Sequence, residues 1–168
     1  TGDHFKESTQ LEYLEIGTGM EWIGGGAFNN YYTKLETLIF HDGKNPLTIN
    51  GAAFYGCSSL KSVTLPKNTV EVSSGSFTNC SELEYLDIQS SMESGVINTG
   101  AFYNCNKLET LIIGNGITLI TSGCFSGLPL LSSVTILGGE NKNVELGYTF
   151  SNLPALTKIT LPNTIEKI

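Results

Sequence analysis

Apolar residues recur along the chain on a fixed ladder. Phenylalanines stand at Phe5, Phe28, Phe54, Phe77, Phe102, Phe125 and Phe150, spaced 23, 26, 23, 25, 23 and 25 residues apart, and of the eight only Phe40 lies off the ladder. Six residues after each anchor, or seven after Phe28, comes a leucine: Leu11, Leu35, Leu60, Leu83, Leu108, Leu131 and Leu156. From that leucine the chain reads Leu-x-x-aliphatic-x-aliphatic, as in Leu11–Ile16, Leu83–Ile88 and Leu108–Ile113. The last two apolar positions alternate with the period of a strand. A second β-rich stretch follows in most periods, at Val70–Val72, Ile117–Ile120 and Val144–Leu146, with a glycine usually a few residues before the next Phe. Each period therefore predicts one coil with two extended arcs. Pro66 and Pro162 directly follow first arcs, where a missing N–H ends pairing.

A single coil cannot bury its own Leu, Ile and Phe, but stacked coils bury them against the same positions of their neighbours. The pattern predicts a mainly β solenoid of about seven coils of 23–26 residues with a parallel sheet on the concave face. Short turns or 3-10/helical segments are expected on the outer arcs. With strands ~4.8 Å apart, seven rungs span roughly 30 to 35 Å, so residues 1–168 form one domain. The chain stops at 161–168 where the next Gly-x-x-x-Phe is due, which leads us to expect a piece of a longer array. Long coils alternate with short ones, the extra residues falling at 41–50, 89–98 and 137–145, and this predicts duplication of a two-coil unit of 48 or 49 residues. Inserts that share one side are a binding device, but drift in a tolerant loop explains them as well and is favoured.

Gly-x-x-Ala-Phe-x-x-Cys-x-x-Leu-x-x-Ile-x-Ile-Pro resembles the BspA-like leucine-rich repeat, and 51–66, with Ala53, Phe54, Cys57, Leu60, Val63, Leu65 and Pro66 in place, follows it closely. The resemblance covers nearly the whole chain. It implies a leucine-rich-repeat solenoid from a bacterial, cell-surface or secreted protein that binds other macromolecules, and it does not imply catalysis. Departures fall where Ala becomes Ser76, Cys124 or Thr149 and where Cys becomes Tyr31, Leu128 or Leu153.

Charge narrows the partners. Charged residues are 15% of the chain, all nine positive side chains are lysines, and the net charge is −7 with a pI near 4.7. That argues against a phosphate-tracking nucleic-acid surface and against an anchor on anionic lipid, and no nucleic-acid partner is expected. No apolar run approaches the ~18 residues of a membrane span, so no direct membrane insertion is expected.

Candidate chemistry is sparse. Cys57, Cys80 and Cys105 each sit three residues after an anchor Phe, so stacking brings them together, while Cys124 stands apart. The same position holds Leu128 and Leu153 in later coils, which favours core thiols over disulfides. Their wide spacing, with no His in step, gives no zinc pattern, and we expect no metal. His4 and His41 belong to no catalytic arrangement. Gly17-Thr18-Gly19 and Gly114-Asn115-Gly116 occupy the same turn of different coils and serve as turn glycines, with no helix to receive a phosphate. Glu12, Glu36, Glu84 and Glu109 fall one residue after the strand leucine, with Lys61 interrupting the column. Glu12 then faces Glu36, and Glu84 faces Glu109. Like charges across strands are mildly destabilising, and either solvent screening or a basic partner or cation relieves them; screening is favoured. Glycoside hydrolysis needs two unlike carboxylate environments around a cleft, which an open sheet of equivalent rungs does not supply.

Outward strand positions read Tyr13/Glu15, Thr37/Ile39, Ser62/Thr64, Tyr85/Asp87, Thr110/Ile112, Ser133/Thr135 and Lys158/Thr160. Tyrosine beside acid, with exposed isoleucine, suits protein recognition, although Thr and Ile are also good strand formers. The sequence thus predicts a non-enzymatic extracellular or cell-surface module, without catalytic residues or cofactors. It binds a protein or glycan through the concave sheet and inserted loops, with Tyr13, Glu15, Glu36, Ile39, Tyr85, Asp87, Glu109 and Ile112 as candidate partner-binding residues. The alternative is a rigid spacer with no ligand of its own.

Overall fold

The computed structural model describes residue 5 and residues 7–138, 145–146 and 148–163. Seven first arcs form one parallel sheet in the order β1 (Tyr13–Ile16), β3 (Thr37–Phe40), β5 (Ser62–Leu65), β7 (Tyr85–Ile88), β9 (Thr110–Ile113), β11 (Ser133–Ile136) and β13 (Lys158–Thr160). The second arcs form a six-stranded sheet of β2 (Trp22–Ile23), β4 (Leu47–Ile49), β6 (Thr69–Val72), β8 (Gly95–Ile97), β10 (Ile117–Ile120) and β12 (Glu145–Leu146). The result is a β-solenoid of about six turns, the seventh strand of the first sheet opening a further one. Within the predicted inserts and arcs, residues 139–144 lie outside the described residues, as do His4 and the last five residues.

The core is a set of ladders, as the sequence requires. The Phe rings stack face to face along the axis, with centroids 5.0 Å apart at Phe54–Phe77, 5.3 Å at Phe77–Phe102 and 6.0 Å at the Phe5–Phe28 end. Each such pair contributes ~0.5–1.5 kcal/mol beyond the burial of its area. Leu60, Leu83, Leu108 and Leu131 are fully buried beneath them.

The outer arcs hold turns, and the described residues contain no helix. The reason is a pair of left-handed residues around each ring. The residue two after the Phe has positive φ in six successive coils, at Asn30, Gly56, Asn79, Asn104, Gly127 and Asn152, matching the residue types that tolerate it. The residue two before the Phe does the same at Gly26, Ala52, Gly75, Gly100 and Gly123. Only three residues separate the two, so a single turn closes and no helix propagates. Among these, Ala52 (φ 56°) is the position where neither Gly nor Asn relieves the Cβ clash.

Two of the departures from the repeat, Ser76 and Cys124, make hydrogen bonds that the Ala they replace cannot. At the Ala position, the Ser76 hydroxyl donates to the carbonyls of Asn50 (3.1 Å) and Ser73 (2.5 Å). The Cys124 thiol takes the corresponding Asn98 (3.2 Å) and Thr121 (2.8 Å) carbonyls. Three of these carbonyls also accept a main-chain N–H, Asn50 from Ala53, Ser73 from Ser76 and Asn98 from Ala101, so the side chains add a second bond to acceptors that have two lone pairs. The other cysteines are free and fully buried, each thiol donating to the Phe carbonyl of the preceding coil: Cys57 to Phe28 (3.1 Å), Cys80 to Phe54 (3.4 Å) and Cys105 to Phe77 (3.3 Å). Burial pushes the Cys57 thiol up to about 12, and hydrogen bonding to Cys105 together with burial holds Cys80 well above its ordinary value. Thiols so protonated are inert core groups.

Candidate functional site

The register of the first sheet places the predicted outward residues on one face. Tyr13 pairs with Thr37 and Glu15 with Ile39; Tyr85 pairs with Thr110 and Asp87 with Ile112. Ser62 and Thr64 of β5 join the two sets by pairing with Tyr85 and Asp87. The apolar partners Leu14, Leu38, Leu86 and Leu111 point the other way, into the core. Tyr13 is 51% exposed, Tyr85 37% and Ile39 37%, so rings and aliphatic groups stand at the surface beside the acids.

The carboxylates are adjacent, as their column requires. Main-chain bonds run from Glu36 N to Glu12 O (3.0 Å) and from Glu109 N to Glu84 O (2.9 Å), so each pair lies across neighbouring coils. Lys61 approaches Glu36 at 3.8 Å, whereas Glu12, Glu84, Asp87 and Glu109 form no ion pair within 4.0 Å among the described residues. Glu15 accepts from the Tyr13 hydroxyl at 2.9 Å and meets His41 Nε2 at 2.5 Å. The bonds from His41 and then Tyr13 hold the Glu15 carboxyl below its ordinary value, and the Tyr13 phenol is raised in turn by its bond to Glu15. Tyr85 is raised by partial burial and by the charge of Asp87. His41, which motif reasoning left without a role, continues the alternation Thr37, Ile39, His41 past the end of β3; that period was the signal for its place.

The sheet opens between β3 and β5. At every other step a leading bond joins the strands, as from Tyr85 N to Lys61 O (3.3 Å) or from Ser133 N to Glu109 O (3.1 Å); Ser62 N makes none to Glu36 O. The ladder there consists of one pair, Thr37 with Ser62. The trailing bond is lost as well, because Pro66 has no N–H where Leu137 donates to Ile113 O (2.8 Å). Phe40 puts a ring where the other strands carry Ile or Leu, set edge-on against Phe54 at 6.2 Å, and the larger group keeps the strands apart. Along the seam runs an open groove of about 320 Å³ lined by residues 36–40 of β3 and its approach and by Ser62 and Thr64.

The face repeats, but not by two coils. Tyr13, Thr37 and Ser62 recur three coils later as Tyr85, Thr110 and Ser133, and Glu15, Ile39 and Thr64 as Asp87, Ile112 and Thr135. The unit of duplication is therefore three coils. Its coil lengths of 23, 26 and 23 are followed by 25, 23 and 25, which hides the period from spacing alone.

A parallel solenoid with these ladders is the leucine-rich-repeat architecture. The BspA type leucine rich repeat region matches six times, over residues 2–94, 31–145 and 91–168, and the chain belongs to that family. Of two similar solved structures, the T. pallidum leucine rich repeat protein (TpLRR) is 21% identical with a TM-score of 0.68, over 92% of this chain and 72% of that one. The other, a leucine rich cell surface protein from Faecalibacterium prausnitzii A2-165, is 19% identical with a TM-score of 0.38, over 92% and 62%. Comparison with curated proteins found no match. Family and fold are typically non-catalytic, a scaffold on which the surface residues carry the function.

Proposed function

We propose that the chain is a non-enzymatic extracellular or cell-surface recognition module that binds a protein or glycan through the solvent face of the first sheet and the inserted loops. The observation that carries this reading is the placement on one face of exposed Tyr13, Glu15, Glu36, Ile39, Tyr85 and Glu109 with half-buried Asp87 and Ile112. Rings and aliphatic groups next to carboxylates supply contact area together with charge selectivity. The cell-surface setting draws on the family resemblance. A second reading, a rigid spacer without a ligand, draws on the unbroken Phe stack from Phe5 to Phe150.

The two are separated by binding to a panel of extracellular-matrix proteins, plasma proteins and polysaccharides. The expected result is a saturable partner lost in Tyr13→Ala/Tyr85→Ala at unchanged melting temperature. Binding that survives in the variant moves the site to the loops, and silence across the panel favours the spacer.

A further inference from the structure

The two halves of the face are copies, and the copying is selective. Of the six outward positions in β1, β3 and β5, five are identical in β7, β9 and β11, and the sixth exchanges Glu15 for Asp87. The carboxylates beside them repeat too, Glu12 and Glu36 as Glu84 and Glu109. The second sheet passed through the same duplication, and its register aligns Trp22, Thr48 and Glu71 with Val96, Leu119 and Glu145. There two of three positions have changed chemistry, and the turns have changed length. Surface positions diverge unless something holds them, and the fold needs Tyr and Ile at these sites no more than it needs Trp22 or Thr48.

Resting on the recognition reading above, we infer that the first sheet carries two equivalent subsites, Tyr13/Glu15/Glu36/Ile39 and Tyr85/Asp87/Glu109/Ile112, which together hold one extended basic polypeptide. The copies are offset by three strand spacings, so their centres lie ~14 Å apart. Each subsite places two carboxylates, in the first Glu15 beside His41 and Glu36 beside Lys61, toward a guanidinium or ammonium group that competes for them, a tyrosine ring for its cationic face and an isoleucine for its aliphatic stem. The chain's net charge of −7 complements a cationic partner and gives an anionic polymer nothing to meet.

The test uses two synthetic peptides: one with a single Arg-Ser-Arg cluster, and one with two such clusters joined by a Gly-Ser linker able to reach ~14 Å. Calorimetry should find two single-cluster peptides per chain but one two-cluster peptide, the latter binding at least about 10-fold more tightly. Either Tyr13→Ala/Glu15→Gln or Tyr85→Ala/Asp87→Asn, each removing one carboxylate, should return the two-cluster peptide to single-cluster affinity, while Glu7→Gln/Glu93→Gln, whose charge change is twice as large, should leave it bound. One single-cluster peptide per chain, no gain from the second cluster, or equal loss in the Glu7/Glu93 control overturns the paired subsites. A neutral glycan that needs both subsites when neither peptide binds overturns the choice of partner. If a panel partner binds and neither subsite variant affects it, the recognition face itself falls, a separate failure.

Discussion

Coils one to three and coils four to six present the same face on differently knit sheets. Between β9 and β11 all four residues of each strand pair, Thr110–Ile113 with Ser133–Ile136; between β3 and β5 only Thr37 and Ser62 do. Two exchanges account for the difference. Ile113 of the closed junction is Phe40 at the open one, and Leu137, whose N–H donates to Ile113 O at 2.8 Å, is Pro66. The outward residues on both sides of the seam are nevertheless the same. The comparison teaches that backbone pairing has been allowed to differ where surface chemistry has not, which is the reverse of what a bare scaffold needs.

Truncation at the two junctions gives the largest contrast. Leu111→Ala, at a fully buried rung of a closed ladder, should cost about 2–5 kcal/mol in denaturant unfolding, and Leu38→Ala, already bordering the seam, should fall at the low end of that range. Equal costs would mean that the seam is packed as tightly as its counterpart. Phe40→Ile with Pro66→Leu should close the seam and add roughly 1 kcal/mol per restored main-chain bond. Its signature is slower amide exchange at Ser62 and Thr64, which in the natural chain should exchange faster than Ser133 and Thr135. Smaller still is Ala52→Gly: relief of the left-handed strain of ~1–2 kcal/mol, offset by the looser unfolded chain, leaves a gain of about 0.5–1 kcal/mol in thermal melting.

The smallest effect is electrostatic and again separates the two copies. Glu15 leans on His41, whereas Asp87 receives a bond from Gln89 at 3.1 Å. Because the Glu15 carboxyl is held below its ordinary value, its contribution is present above the unfolded value and is lost as pH falls through the folded one. Titration of the Glu15 side-chain carbon by NMR should show a midpoint below the usual glutamate range that moves up in His41→Gln.

Much of this was legible in the sequence. The Phe ladder and the leucine register predicted every strand pairing of the first sheet, because a stack of coils can keep only like positions together. The buried thiols followed from Leu128 and Leu153 taking their place in later coils. The seam was not legible: Phe40 stood off the ladder and Pro66 ended an arc, but that they meet across one junction is a tertiary fact. The left-handed column at Asn30, Gly56, Asn79, Asn104, Gly127 and Asn152 decides between the two forms expected on the outer arcs: short turns closed by bonds three residues back, as from Cys57 N to Phe54 O, form in place of helical segments. The three-coil period was masked by turns whose lengths changed while the face did not.

The most direct test of the account is an NMR map of the labelled chain on addition of a saturating partner from the extracellular panel. Shift changes should cluster on the first sheet, at Tyr13 and Ile39 and, to a like extent, at Tyr85 and Ile112. Changes confined to Thr48, Glu71 and Leu119 of the second sheet, or to one copy of the face alone, would contradict it.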